Sequence, residues 1–403
     1  MTGAALKIVV HDYSGHPFQV ELSRELARRG HHVHHCYSDS IQTPQGALRR
    51  SADDPETFSV AAISLGRPVA KYTYVERWRQ ERRYGRLLAQ RIAEREPDVV
   101  ICGNGAPDIQ AAALAAARRS GARFVFWLQD LYGEAARRLL PQRLPVIGSL
   151  AARLLAAKEA RCLRSSDAVV AISEDFAPIL RAMGVAAQRC ATIENWAPST
   201  EIAPRPKRNA WSLAQGCAEE FCFVYAGTLG LKHNPELLAS LAAALTPDSG
   251  ARLIVASQGL GADFLAQQKA ARRLDRLTLL PFQPYAALAD MLGAADIAIV
   301  LLEREAGIFS VPSKVLSYLS AGRPILAAMP RQNLAARLIE REQAGIVVDP
   351  ENRDGFLAAA LELRREPARL AAMGARARDY AERTFAIGPI ADRFEALISG
   401  IRA

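Results

Sequence analysis

Gly307-Ile-Phe-Ser-Val-Pro-Ser-Lys-Val-Leu-Ser-Tyr-Leu-Ser-Ala-Gly-Arg-Pro-Ile-Leu326 reads as a loop of small residues, a short helix over 313–321, a Gly-Arg-Pro turn and a buried strand over 325–328. Pro312 suits the start of such a helix, because its missing N–H falls among amides that have no helical partner, and Gly322 suits its end. Those first-turn amides, with Lys314 beside them, fit a bound anion. An ordinary loop–helix–strand crossover carries the same signals.

The alternation continues outward in both directions. Apolar runs at 6–10, 32–37, 99–102, 124–128 and 168–172 read as strands, with helical patterns at 18–29, 108–119 and 150–164 between them. Residues 198–216 change character, with three prolines, mixed charge and little periodicity. The alternation restarts at 221–225 and runs through 252–257, 277–280, 297–301, 325–328 and 345–348. Buried strands separated by helices imply an α/β fold with parallel sheets covered on both faces. Two doubly wound, Rossmann-like domains are expected: residues 1–197, a linker at 198–220, and residues 221–385. A closing helix at 386–403 is expected to pack back on the first domain. Ligands should gather at the carboxyl ends of the strands.

A chain of 403 residues is too long for one core, and with half its residues hydrophobic both halves can bury one. No segment approaches the roughly 20 apolar residues of a membrane span, and the N-terminus runs straight into a strand pattern instead of a signal peptide. A cytoplasmic protein is expected. The six cysteines form no Cys-x-x-Cys pair and read as buried small hydrophobes. The run His31-His-Val-His-His35 falls in a strand, where alternate side chains face opposite ways, so no metal site is expected there. The net charge of +9 suits phosphates or an anionic membrane surface. Nucleic acid fits poorly, since the arginines are spread over many helices and no binding module is recognisable.

Five further segments could carry chemistry. His11-Asp-Tyr-Ser-Gly-His16 joins the first strand to the first helix, and Gly15 permits a tight turn there; no Gly-x-Gly-x-x-Gly fingerprint follows. Phe126-Trp-Leu-Gln-Asp-Leu-Tyr-Gly-Glu134 ends a buried strand in Gln129 and Asp130, with Glu134 four residues on; Asp130 is a candidate site residue or a helix N-cap. Ala171-Ile-Ser-Glu-Asp-Phe176 precedes Ile193-Glu-Asn-Trp-Ala-Pro198, where Trp196 is expected mainly to pack. Tyr225-Ala-Gly-Thr-Leu-Gly-Leu-Lys-His-Asn234 places Gly227, Thr228, Gly230 and Lys232 between a strand and a helix, a cradle suited to diphosphate. Leu280-Pro-Phe-Gln-Pro-Tyr285 follows a strand, with Phe282 and Gln283 at its tip.

Taken in this order, the segments resemble those of retaining nucleotide-sugar glycosyltransferases of family four, which have the two-domain GT-B fold with the domains facing across a cleft. The resemblance runs from Gly15 to the Gly-Arg-Pro turn at 322–324. It implies an acceptor-binding first domain and a donor-binding second domain. It places His16, Asp130 and Glu134 at the reaction end. Gly15, Gly227, Thr228, Lys232, Phe282, Gln283, Val311, Pro312, Ser313, Lys314 and Ser317 would hold the donor, with Phe282 and Gln283 where the family reads the nucleobase. Two departures stand out. Thr228 takes the place of a frequent arginine, and Phe309 and Ser317 stand where many members carry two glutamates. A hydroxyl cannot grip a ribose diol as a carboxylate does. The Pro-Ser-Lys-x-x-Ser-Tyr wording resembles a bacterial branch of O-antigen and capsule assembly, akin to fucosaminyl transferases.

The resemblance implies transfer of a hexosyl or N-acetylaminosugar group, with retention, from a nucleotide-diphosphate sugar, UDP-linked, to a lipid-linked or other glycan acceptor. Lys232 and Lys314 would neutralise the diphosphate, so no metal or cofactor is expected. A basic, aromatic run over 71–95, together with the apolar 139–147, suits peripheral docking on the inner face of the cell membrane, and equally a solvated helix face with an apolar inner side. Two rivals stand beside this: a GT-B epimerase or phosphorylase, and a non-catalytic subunit that binds nucleotide sugar.

Overall fold

The structure, a computed structural model, describes residues 4–41, 45–70, 73–103, 105–143, 145–230, 233–306 and 311–402. The chain divides into two compact units, Met1–Asn195 with Ile387–Ala403, and Trp196–Ala386.

The first unit holds a parallel sheet of seven strands: β1 (Lys7–Asp12), β2 (His32–Ser38), β3 (Phe58–Ile63), β4 (Val99–Gly103), β5 (Arg123–Leu128), β6 (Ala168–Ala171) and β7 (Cys190–Thr192). Their order is β3-β2-β1-β4-β5-β6-β7, so the winding reverses between β1 and β4. Its helices are α1 (Pro17–Arg28), α2 (Tyr74–Arg95), α3 (Pro107–Arg119), α4 (Tyr132–Arg143), α5 (Pro145–Ser165) and α6 (Ala177–Ala182). The second unit carries α7 (Ala210–Ala214), β8 (Phe221–Ala226), α8 (Glu236–Ala244), β9 (Ala251–Ala256), α9 (Leu260–Arg272), β10 (Leu277–Leu280) and α10 (Leu288–Ala294). It continues with β11 (Ile297–Leu301), α11 (Lys314–Ser320), β12 (Ile325–Ala328), α12 (Leu334–Arg341), β13 (Gly345–Val348), α13 (Arg353–Leu363) and α14 (Pro367–Thr384). This six-stranded parallel sheet runs β10-β9-β8-β11-β12-β13, with its reversal between β8 and β11. A crevice at the carboxyl ends of the strands is expected at each reversal.

Helix α15 (Ile387–Gly400) belongs to the first unit and packs on α1. Phe394 meets the Trp127 ring edge-on at 4.9 Å, and Phe18 of α1 meets the same indole at 5.6 Å. Arg29 bonds Asp392, Glu395 and the Gly388 carbonyl from the end of α1. Burying each such ring contributes roughly 1.5–3 kcal/mol, so the apolar contact fixes this helix more than the half-exposed ion pairs do.

Several elements differ from the sequence reading. The helix expected at 150–164 begins earlier, at Pro145, and a separate α4 precedes it with Pro141 inside. The stretch 198–220, expected as a linker, contains α7, which packs on α10 and is closed by an Asn209–Ser212 capping box. Residues 353–384 form two helices, α13 and α14, because Pro367 lacks an amide and opens α14. The Gly-Arg-Pro turn owes its shape to packing: a Cβ on Gly374 of α14 would stand 2.6 Å from the Gly322 carbonyl oxygen. Arg323 then donates to the carbonyls of Ala321, Ala295 and Arg205.

Of the histidine run, His34 and His35 are buried, His31 is half-buried and His32 is exposed. His35 bonds Ser23 at 2.9 Å, His34 bonds Ser59 at 2.8 Å, and His31 meets Glu395 at 3.1 Å. Burial lowers His34 to about 3 and His35 to about 4, so both are neutral. Among the described residues no three His, Cys, Asp or Glu side chains group as metal ligands. No described helix is long and apolar enough to cross a membrane.

Candidate active site

In the first unit, β1 delivers Asp12 fully buried at its carboxyl end. Its carboxylate collects the turn that follows, accepting from Ser14 N–H at 3.0 Å, from His16 N–H, and meeting His16 Nδ1 at 3.2 Å. Burial works against a charged His16, but Asp12 and then Asp130 more than reverse it, and the imidazole is held above its ordinary value. Asp12 pays the same burial and is held below the usual carboxylate range by His16. The half-buried His16 and the buried Asp12 therefore each favour the charged form of the other. Gly15 is required by this turn: φ is +75°, and a Cβ would meet Leu48 Cδ1 at 2.6 Å. Its side-chain face is therefore filled by protein.

Asp130 follows β5 and is half-buried. It does not cap α4, because the amides of Tyr132 and Gly133 both donate to Glu159 of α5. That removes the N-cap explanation for Asp130. Gln129 beside it exchanges amide bonds with Asn195, at 2.6 and 3.3 Å, which ties the Glu-Asn-Trp element to the end of β5. Glu134 lies on α4 in an ion pair with Arg138 at 3.0 Å, while Asp130 precedes the start of that helix at Tyr132. Trp196 is buried, in keeping with packing.

Sequence reasoning missed several neighbours. Tyr84 of α2 is buried and meets His11 Nε2 at 3.1 Å; in sequence it stands within the basic, aromatic run over 71–95. Glu81 is buried against Arg77 at 2.8 Å, and burial raises its carboxyl in spite of that arginine. Glu159 had no signal at all, since its partners lie 26 and 27 residues away in sequence.

In the second unit, β8 ends at Ala226 and the chain turns at Gly227, where φ is +121°. A Cβ there would meet Lys314 Cε at 3.3 Å and Nζ at 3.6 Å, so glycine lets the lysine lie against the backbone. Lys314 Nζ also stands 3.6 Å from the centroid of the Tyr225 ring. Tyr225 donates to the Thr228 carbonyl at 2.8 Å, and Tyr318 of α11 receives Ala226 N–H at 3.0 Å. Tertiary structure thus brings Tyr225, Gly227, Thr228, Lys314 and Tyr318 to one strand end. Gly230 is held by His233, whose Nδ1 accepts its N–H at 3.0 Å. Lys232 and Phe309 lie outside the described residues.

Ser313 occupies the N-cap position of α11 without a side-chain cap bond, Val311 is half-buried, Pro312 is buried, and Ser317 is half-buried one turn on. The helix itself starts at Lys314, one residue later than read. Phe282 is half-buried after β10. Gln283 accepts from Trp211 Nε1 at 3.0 Å and donates to the Pro281 carbonyl at 3.0 Å. Its amide is spent on holding the loop, which leaves backbone for a ligand. The tertiary link to α7 was invisible in sequence.

Residues 18–199 match the family described as Glycosyltransferase Family 4, and residues 215–380 match Glycosyl transferases group 1. WbjE of Pseudomonas aeruginosa, described as a glycosyltransferase, is 26% identical over 56% of this chain and 56% of its own length. WcaI of Escherichia coli, described as a colanic acid biosynthesis glycosyl transferase, is 28% identical over 66% of this chain and 65% of its own length. The match thus spans between half and two thirds of these relatives. HepE of Anabaena, solved with UDP and glucose, aligns over 98% of this chain and 100% of its own, with a TM-score of 0.69 at 16% identity. That likeness establishes the GT-B fold. Two family matches in sequence order, together covering most of the chain and lying on two parallel Rossmann-like sheets, show that this chain belongs to glycosyltransferase family 4.

Proposed function

We propose that this protein transfers a sugar, with retention of anomeric configuration, from a UDP-sugar to a glycan acceptor carried on lipid, in surface polysaccharide assembly. The observation that carries the proposal is Lys314 lying over Tyr225 against Gly227, a cation at the carboxyl end of β8 beside the sheet reversal. A diphosphate placed there meets a fixed positive charge, and departing phosphate charge is what such a transfer must stabilise. The base is inferred from HepE, solved with UDP, and the pathway from WcaI, described for colanic acid biosynthesis.

In this reading the second unit binds the donor, through Gly227, Thr228, Lys314 and Lys232, with Phe282, Gln283, Val311, Pro312, Ser313 and Ser317 at the nucleoside. The first unit supplies the reaction end, with Asp130 as a carboxylate for positive charge developing at the anomeric carbon and His16 as a hydrogen-bonding partner to hydroxyls. The anomeric carbon–phosphate bond breaks, a bond to the acceptor hydroxyl forms, and the hydroxyl proton leaves with the diphosphate. No step requires a metal.

An anionic membrane face is proposed as a docking partner. Tyr74, Val75 and Trp78 are exposed at the start of α2, with the Arg82 guanidinium 5.0 Å from the Trp78 ring and Arg79, Arg83 and Arg86 exposed nearby. Val146, Ile147, Leu150 and Leu154 are exposed along α5. Such a pairing of exposed apolar side chains with arginines suits lipid headgroups.

Titration calorimetry with UDP, uridine and the nucleoside diphosphates of the other bases tests the donor site, followed by assay of UDP release from a panel of UDP-sugars with lipid-linked glycan. Tighter binding of UDP than of uridine and of other diphosphates is expected, with acceptor-dependent release. Donor binding without release from any acceptor would favour a non-catalytic subunit, and product from donor alone an epimerase.

A further inference from the structure

Helix α4 begins without a cap of its own. Ala135 N–H donates to the Leu131 carbonyl at 3.0 Å, which puts Leu131 in the N-cap position, and leucine has no side-chain acceptor. The acceptor arrives from α5 instead. Glu159 Oε1 takes the Tyr132 amide at 2.9 Å, and Oε2 takes the Gly133 amide at 2.8 Å, with the residue 1% exposed. Gly133 is what lets α5 come so near, since a Cβ there would stand 2.8 Å from both Ala156 Cα and Glu159 Oε2. Asp130 occupies the turn directly before these two amides, and its charge acts on both Glu159 and His16.

We propose that Glu159 is a positioning residue: its carboxylate, reaching from α5, holds the 129–133 turn and so sets where Asp130 stands beside His16. This rests on the reading of Asp130 and His16 as the reaction-end groups. A carboxylate on two helix-start amides makes charge-assisted bonds in the favourable field of the helix terminus. Released, the turn can swing, and small displacements of a reacting group are costly. Burial, with Asp130 adding to it, pushes the Glu159 carboxyl up to about 7 against the two amides and Arg137. The other charged groups facing it are few. On α3, Asp108 is paired with Lys158 at 2.7 Å, and Arg118 and Arg119 lie at the far end of that helix. The clamp therefore rests on its geometry, two amides on two carboxylate oxygens of a buried side chain.

The test needs no substrate. Amide hydrogen exchange over 129–135 and the titration of the His16 imidazole by NMR are measured in the parent and in Glu159→Gln, Gly133→Ala and Asp130→Asn. At pH 8 the Tyr132 and Gly133 amides should exchange at least about tenfold faster in Glu159→Gln. The His16 midpoint should fall in Asp130→Asn, and also in Gly133→Ala, which keeps the Glu159 charge but displaces the turn. Unchanged exchange in Glu159→Gln overturns the inference. So does a parental His16 midpoint in Gly133→Ala while Asp130→Asn shifts it; and if Glu159→Gln does not fold, Gly133→Ala decides alone. Failure of the underlying reading is recognised separately, as normal turnover of Asp130→Asn.

Discussion

Replacing Lys314 by alanine removes the cation that lies over Tyr225 and against Gly227. The ammonium stands 3.6 Å from the ring centroid, a contact worth about 0.5–2 kcal/mol to the folded chain. That contact also holds the side chain in place before any ligand arrives, so little ordering cost falls on binding. A charge-assisted bond to phosphate contributes roughly 1.5–3 kcal/mol. At 1.4 kcal/mol per tenfold, Lys314→Ala should weaken UDP binding by about one to two powers of ten. Uridine lacks the phosphates and should bind as before. Lys314→Met keeps the stem against Tyr225 and loses only the charge, so it should match alanine for UDP and stay nearer the parent in thermal stability. Calorimetry with both ligands, alongside thermal melts, reads all of this. A Lys314→Ala chain that is folded and binds UDP like the parent would refute the placement of the diphosphate. Equal loss for UDP and uridine would refute the phosphate contact as its cause.

Asp130→Asn should cut turnover far more than UDP affinity, because the charge matters chiefly in the transition state; steady-state kinetics beside calorimetry separates the two. Trp211→Phe strands Gln283 Oε1, now bonded at 3.0 Å, and should weaken uridine and UDP binding alike by up to about tenfold while the melting curve stays cooperative. Stability should fall as pH drops from 7 to 4. The buried histidines are depressed, to about 3 for His11 and His34 and about 4 for His35, so their stabilising neutrality is complete above the unfolded value of 6.5 and is lost as pH falls toward the folded values. Between pH 7 and 5 the loss from His35 is about 2 kcal/mol, readable by urea unfolding at the two values. Glu159 has the opposite sign: raised to about 7, its contribution is fully present below the unfolded 4.5 and lost as pH rises through 7. Binding to vesicles rich in anionic lipid should weaken between low and high salt, since arginine attraction is screened over about 8–10 Å, and Val146→Asp should weaken it further in a flotation assay.

The sequence by itself carried the alternation of strands and helices, because parallel strands buried on both faces must be continuous apolar runs. It also carried the punctuation of the 307–326 stretch and the strand-end location of the candidate residues, since glycine turns and Pro-led helices are local. It was weakest where a partner is distant. The missed α4 has Leu131 at its N-cap position, and its cap is a glutamate from another helix; no local pattern announces that. The 198–220 stretch looked like a linker because its prolines dominate the local signal, yet Trp211 is buried and bonded to Gln283, 72 residues away. The basic run over 71–95 fitted a docking surface and a solvated helix with an apolar inner side equally well. Helical periodicity in fact sends Tyr84 to the core, pairs Arg77 with Glu81, and leaves Tyr74, Trp78 and the remaining arginines outside.

What only the tertiary structure decided is which candidate groups share a place and in which charge state. Gly227 and Lys314 are far apart in the chain, and they meet because β8 and β11 are neighbours in the sheet and α11 follows β11. His16 and Asp130 act on one another because β1, β4 and β5 run side by side and end on one edge. A charge state depends on burial and on the nearest opposite charge, and neither is a property of a residue's neighbours in sequence. Local chemistry named the residues; long-range strand order determined which of them can act together.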